Sequence, residues 1–223
     1  MSIATPARTD HDIQIAVQDE LEWTPDVDDA GIGVAIEAGT VSLSGEVDSY
    51  AEQIAATRAA LRVRGVTAVV DNLIVHPKNG WSVTETDIAK EVQRALKWAS
   101  NVPDTVKAEI KEHTVILTGQ VSWNFQRQAA KRAVQYLHGV FTVDNRITLS
   151  ARPSGRDTEE RIKNALTRNA QLDANTINAT VSGNRVTLTG TVRSWAEKQQ
   201  AGQTAWGSPH VTDVDNRIVV SVR

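Results

Sequence analysis

Cysteine is absent from the 223 residues. That removes disulfides, thiolate nucleophiles and cysteine-ligated metals together, so core packing must supply the stability. Phenylalanine and tyrosine occur twice each and methionine once, while tryptophan occurs six times. No apolar run approaches the ~18 residues that a membrane-crossing helix needs. The opening segment, Met1 to Asp12, has no apolar stretch that could serve as the core of a secretory signal, which predicts a cytoplasmic protein. Neither sign of charge dominates. The 24 basic residues face 27 acidic ones, net −3, which argues against a nucleic-acid partner. Catalytic signatures are missing as well: there is no Walker loop, no G-x-G-x-x-G opening a helix and no G-x-S-x-G elbow. The five histidines, His11, His76, His113, His138 and His210, fall in no metal-binding spacing and recur at no common position. The expectation is a non-enzymatic protein without a cofactor.

What is present is a repeat. The pattern V-x-L-x-G-x-V occurs as Val41, Leu43, Gly45 and Val47, then from Val115 to Val121, then from Val186 to Val192, at offsets of 74 and 71 residues. A second pattern, Val-Asp-Asn, begins at Val70, Val143 and Val214, at offsets of 73 and 71. Two motifs recurring in phase three times mark tandem copies of one unit.

Each copy reads as α-β-β-α-β. Ile13, Val17 and Leu21 lie on one helix face, as do Ile88, Val92 and Leu96, and Ile162, Leu166 and Ala170. Asp87 and Asp157 sit where a carboxylate can cap the helix start. Period-two alternation follows at Ile32, Val34 and Ile36, at Val106, Ala108 and Ile110, and at Ile177, Ala179 and Val181. A short turn, such as Ser182 to Arg185, joins this strand to the V-x-L-x-G-x-V strand as a hairpin. Ser49 with Glu52, and Ser194 with Glu197, have the capping-box spacing of a second helix, and Gly65, Gly139 and Gly207 lie where that helix should stop. Val-Asp-Asn then opens a last strand, with Asp and Asn expected to bond locally to backbone.

The fold expected is α+β: three domains, each a three-stranded mixed sheet covered on one face by two helices. The boundaries expected are a tail at 1–9, domains at 10–75, 84–150 and 157–223, and linkers at 76–83 and 151–156 rich in Pro, Gly, Asn and Ser.

The order of elements, the V-x-L-x-G-x-V strand, and the late Gly-Val followed by Val-x-Asn resemble the BON domain, named for bacterial osmotically inducible and nodulation proteins. The resemblance covers nearly the whole chain. It implies a non-enzymatic, stress-related protein that binds phospholipid or cell envelope. A cytoplasmic potassium-binding protein contains such a domain too, which extends the implication to cations.

Charge is distributed unevenly. The segment Asp10 to Val75 holds 13 acidic and 3 basic residues, whereas Thr84 to Ser150 holds 7 acidic and 9 basic. The second repeat is therefore the one expected to meet an anionic phospholipid surface. Trp123, Arg127, Lys131 and Arg132 are its lipid-contact candidates, because basic groups attract headgroups and tryptophan settles at the interface. Phe125 and Tyr136 flank them; in the competing account, these two are read as core and the basic side chains form an ordinary solvated face. In the first repeat, Asp26, Asp28, Asp29 and Glu37 are candidates for a weak cation site: Asp26, Asp28 and Glu37 partly match a calcium loop, although a strand pattern follows where that motif needs a helix. Trp23 and Trp98, at equivalent helix ends, are expected to pack. The alternatives to a membrane role are a cation- or small-ligand-responsive protein with the acidic first repeat as sensor, and a scaffold whose repeats contact a protein partner or copies of the chain.

Overall fold

The computed structural model describes residues 9–77, 83–151, 157–169, 172 and 176–221. Trp81, most of both expected linkers, Ala170 and Val222 lie outside the described residues. Each repeat builds its own mixed sheet and its own core.

In the first repeat, α1 (Asp10–Glu22) begins at Thr9, whose hydroxyl accepts from the Asp12 amide while the Asp12 carboxylate accepts from the Thr9 amide. Strands β1 (Ile32–Glu37) and β2 (Thr40–Val47) form an antiparallel hairpin. Helix α2 (Tyr50–Arg62) then crosses over to β3 (Ala68–Val75), which runs parallel to β2. Ile13, Val17 and Leu21 bury their side chains against Val41, Leu43, Val47 and the Ala56, Ala59 and Ala60 face of α2. The expected helix stripe and central strand thus make one core.

The second repeat follows the same path through α3 (Glu85–Trp98), β4 (Lys107–Lys111), β5 (Thr114–Thr118), β6 (Gln120–Val121), α4 (Asn124–Val134), β7 (Thr142–Asn145) and β8 (Thr148–Leu149). The third uses α5 (Thr158–Arg168), β9 (Ile177–Ser182), β10 (Arg185–Val192), α6 (Trp195–Trp206), β11 (Asp213–Asn216) and β12 (Val219–Val220).

The last strand starts earlier than its motif suggests, and its register corrects the alignment of the repeats. Asp71 pairs with Leu43, whereas Asn145 pairs with Leu117 and Asn216 with Leu188. Val-Asp-Asn of the first repeat is therefore slipped by one residue, which is why its offset was 73 rather than 74. The true position holds Asn145, Asn216 and Asp71. Asn145 Oδ1 accepts from the Ile147 amide and its Nδ2 donates to the Arg127 carbonyl of α4, at 3.2 and 2.9 Å. Asn216 does the same with Ile218 and Lys198. Asp71 still accepts from the Leu73 amide but cannot donate, and there α2 supplies the donors instead, Gln53 Nε2 and the Thr57 hydroxyl. The motif is a strand-to-helix tie, lying within the ladder rather than opening it.

Three further expectations are corrected. Gly65 and Gly139 follow their helices by several residues, whereas Gly207 does stand at the end of α6 as expected, though with a right-handed φ of −69°. At Gly65 and Gly139 the positive φ is real, and a Cβ would meet Ile13 or Ile88 of the first helix. Asp157 makes no side-chain cap, and Asp87 acts through Thr84, the true N-cap of α3. Trp23 and Trp98 do not pack: they are 83% and 82% exposed. Each lies two residues past its core leucine position, Leu21 or Leu96, which rotates it by about 200° off the buried stripe.

One recurrent contact escaped the sequence reading. The first turn of each first helix sends a carboxylate to the hairpin. Asp10 accepts from the Ala38 and Gly39 amides, Glu85 from Glu112, and Glu159 from Val181. In the first two repeats these turns hold non-glycine residues at positive φ, Ala38 at 49° and Glu112 at 48°, so the clamp offsets local strain. Hydrogen bonds from the Lys163 ammonium and the Val181 amide hold the Glu159 carboxyl below its ordinary range. Its stabilisation is therefore present above the unfolded-state value and lost as pH falls through the lower folded value. Glu159→Gln is expected to flatten the acid-side fall in melting temperature, followed by circular dichroism from neutral pH downward. An unchanged acid limb would remove Glu159 from that role.

Candidate interaction surface

The second helices meet one another around the chain. Tyr50, at the start of α2, packs on the core of the second repeat, and Arg58 Nη1 donates to the Tyr136 hydroxyl beyond α4 at 3.4 Å. From α4, Arg127 lies over the Trp206 ring of α6, 4.8 Å from its centroid. Trp195, opening α6, donates its indole N–H to the Thr67 carbonyl of the first repeat at 3.1 Å. The contacts thus run from first repeat to second, second to third, and third back to first. Such head-to-tail contacts close a ring. Lys198 lies over the Trp195 ring at 4.8 Å, a cation–π contact on the same interface.

This arrangement divides the lipid-contact candidates. Arg127 is half-buried between repeats; burial pulls its pKa below the ordinary arginine value, opposed by the nearby Asp213 carboxylate. It remains a cation, but its guanidinium is committed to Trp206. Lys131 is half-buried and Arg132 exposed on α4. Trp123 is half-buried at the helix start, its ring 6.3 Å from that of Phe125. Phe125 and Tyr136, read as core, are 52% and 55% exposed. Phe125 and Arg132 are thus left presented to solvent, with Lys131 half-covered.

Asp26, Asp28, Asp29 and Glu37 are not gathered. Glu37 ends β1, about 16 Å of strand beyond Ile32. The Asp28 carboxylate accepts from the Ala30 amide, and its own amide donates to Glu52. Among the described residues, no three His, Asp or Glu side chains come together as metal ligands would. His113 has a structural partner, its Nδ1 lying 2.9 Å from the Gly139 carbonyl while the ring stacks on Phe141. Among the described residues, no helix is long and apolar enough to cross a membrane.

The BON domain model matches residues 9–77, 84–151 and 154–221. The chain belongs to the BON domain family. Its three BON domains stand in tandem, in agreement with the threefold pattern of strands and helices. Osmotically-inducible protein Y of Escherichia coli is 33% identical over 119 residues, which is 51% of this chain and 59% of that protein. The chain thus matches little more than half the length of that relative. Two structures of CdsD, a structural protein of the type III secretion system of Chlamydia trachomatis, align at 13% identity. They cover 96% and 95% of this chain, and 100% and 93% of their own, with TM-scores of 0.26 and 0.27. Superpositions that loose carry no argument for this chain.

Proposed function

We propose that this three-BON chain is a non-enzymatic binding protein of the osmotic stress response that associates peripherally with anionic phospholipid through its second repeat. The observation that carries this reading is the solvent-facing edge of α4, where exposed Arg132 and Phe125 lie with Lys131 on the most basic of the three domains. Family membership and the osmotically inducible relative support the stress assignment. The acidic first repeat would be repelled by the same surface, so docking is one-sided. Basic side chains near an anionic membrane are worth ~1 kcal/mol each.

Co-sedimentation with phosphatidylglycerol-containing and pure phosphatidylcholine vesicles tests it. Binding is expected to the anionic vesicles alone, to weaken with salt, and to fall at least tenfold in Lys131→Glu with Arg132→Glu. Arg127→Glu should instead loosen the contact with Trp206. Equal binding to neutral vesicles, or none to either, would overturn the reading and leave a protein partner or self-association through the repeats as the better account.

A further inference from the structure

One cavity of the molecule has no counterpart in the function proposed above. It lies in the second repeat, between α3 and the edge strand β4, and encloses about 500 Å³. That is within the range of small-molecule sites, ~300–1,000 Å³. Its floor is apolar, formed by Val92, Leu96, Val102, Val106 and Ile110, and its rim carries Lys97, Lys107 and Asp104. The groove follows about 12 Å of helix from Ala89 to Lys97.

Comparison among the three repeats shows why the groove is open here. Ala89 of α3 and Ala108 of β4 stand where the first repeat has Gln14 and Val34. There the larger valine takes the place of Ala108, and Gln14 reaches across the gap, its Nε2 donating to the Val34 carbonyl at 2.8 Å. Helix and edge strand are stapled shut. In the third repeat the helix position is Lys163, and the strand position, Ala179, is fully buried. Only in the second repeat are both residues small and both exposed. Leu96 is consequently half-exposed, where its counterpart Leu21 is 1% exposed.

The rim differs in the same repeat. Lys97 and Lys107 replace Glu22 and Gly33 of the first repeat. Neither lysine forms an ion pair with another described residue. Two cations at the mouth of an apolar groove, against the single Asp104, complement a ligand with one hydrocarbon arm and one anionic head.

We propose that this groove binds a monomeric single-chain anionic amphiphile, a carboxylate of the fatty-acid type, with its tail between α3 and β4 and its head between Lys97 and Lys107. The site is separate from the α4 edge, so it stands or falls independently of vesicle binding.

The test uses the full chain and dansyl-undecanoic acid below its micellar concentration, read by dansyl fluorescence. Saturable binding to a single site is expected. Ala89→Gln, which installs the staple of the first repeat, should weaken it at least tenfold, and Ala108→Val should do likewise. Lys97→Glu with Lys107→Glu should weaken the carboxylate probe at least fivefold while a matching dansyl alcohol keeps its weaker affinity. Gln is only slightly poorer than Ala as a helix former at an exposed position, so the melting temperature should stay close to that of the parent, and vesicle binding should persist. No saturable binding by the parent chain, or binding unaffected by Ala89→Gln, would overturn the proposal.

Discussion

Gly119→Ala is expected to unfold the second repeat, although the substitution adds one methyl group. Gly119 stands at φ 121° where β5 gives way to β6, opposite the start of β4. A Cβ there would lie 2.3 Å from the Thr105 carbonyl oxygen and 3.1 Å from its carbon. Both atoms are backbone, so neither can turn aside; the hairpin itself would have to part. The equivalent glycines behave alike, with Gly45 facing Gly31 and Gly190 facing Thr176, each at 2.0 Å. Left-handed backbone alone costs about 1–2 kcal/mol for a residue with a Cβ, and displacing a hairpin ladder adds to it. A loss of at least ~3 kcal/mol is expected, comparable with the whole margin of a domain of this size. Gly183→Ala is the matched control. Gly183 also has positive φ, 61°, but nothing lies within 4 Å of its added Cβ, so about 1 kcal/mol should be lost. Urea unfolding of the two variants separates the effects. Equal midpoints would show that backbone conformation, not the close approach, is what this glycine supplies.

That glycine was legible in the sequence, as were the threefold pattern, the helix stripes and the central strand, because each is a periodicity imposed by one buried face. The side chains of Val41, Leu43 and Val47, and their two sets of counterparts, are all buried as the alternation requires. What failed was whatever depended on geometry between elements. Val-Asp-Asn looked like one motif, yet only the pairing of Asp71 with Leu43 exposes its slip in the first repeat. The tie it makes is conserved in function through different atoms, an asparagine amide in two repeats and Gln53 with Thr57 in the other. Trp23 and Trp98 show that equivalence between repeats carries no information about packing. Two positions can be equivalent and both face water. The candidate surface was legible in composition but not in orientation. Nothing in a basic helix tells that Arg127 turns onto Trp206 of another repeat while Arg132 stays outside. The groove beside α3 was visible only as two alanines, and gained meaning once Gln14 was seen bridging the same gap elsewhere.

Leu117→Ala tests whether the three cores are separate folding units. Leu117 is fully buried at the centre of β5, pairs with Ala108 on one side and Asn145 on the other, and lies in a cluster with Ile88, Val92, Ala130 and Val134. Removing its branched end from a site closed by two helices should cost about 2–5 kcal/mol. With no disulfide to hold it, a domain this small has little beyond that to lose. The ring contacts that join it to its neighbours are few and mostly polar: Arg58 with Tyr136, Arg127 with Trp206, and the packing of Tyr50. Contacts of that kind transmit far less free energy than a shared core, so amide protection should be lost across residues 84–150 and retained in the other two repeats. Hydrogen exchange read by mass spectrometry distinguishes the cases segment by segment. Loss of protection throughout the chain would mean that the ring, not the single repeat, is the cooperative unit. Trp195→Phe, which keeps a ring against the third core but removes the indole N–H that donates to Thr67, would then be expected to reproduce that collapse.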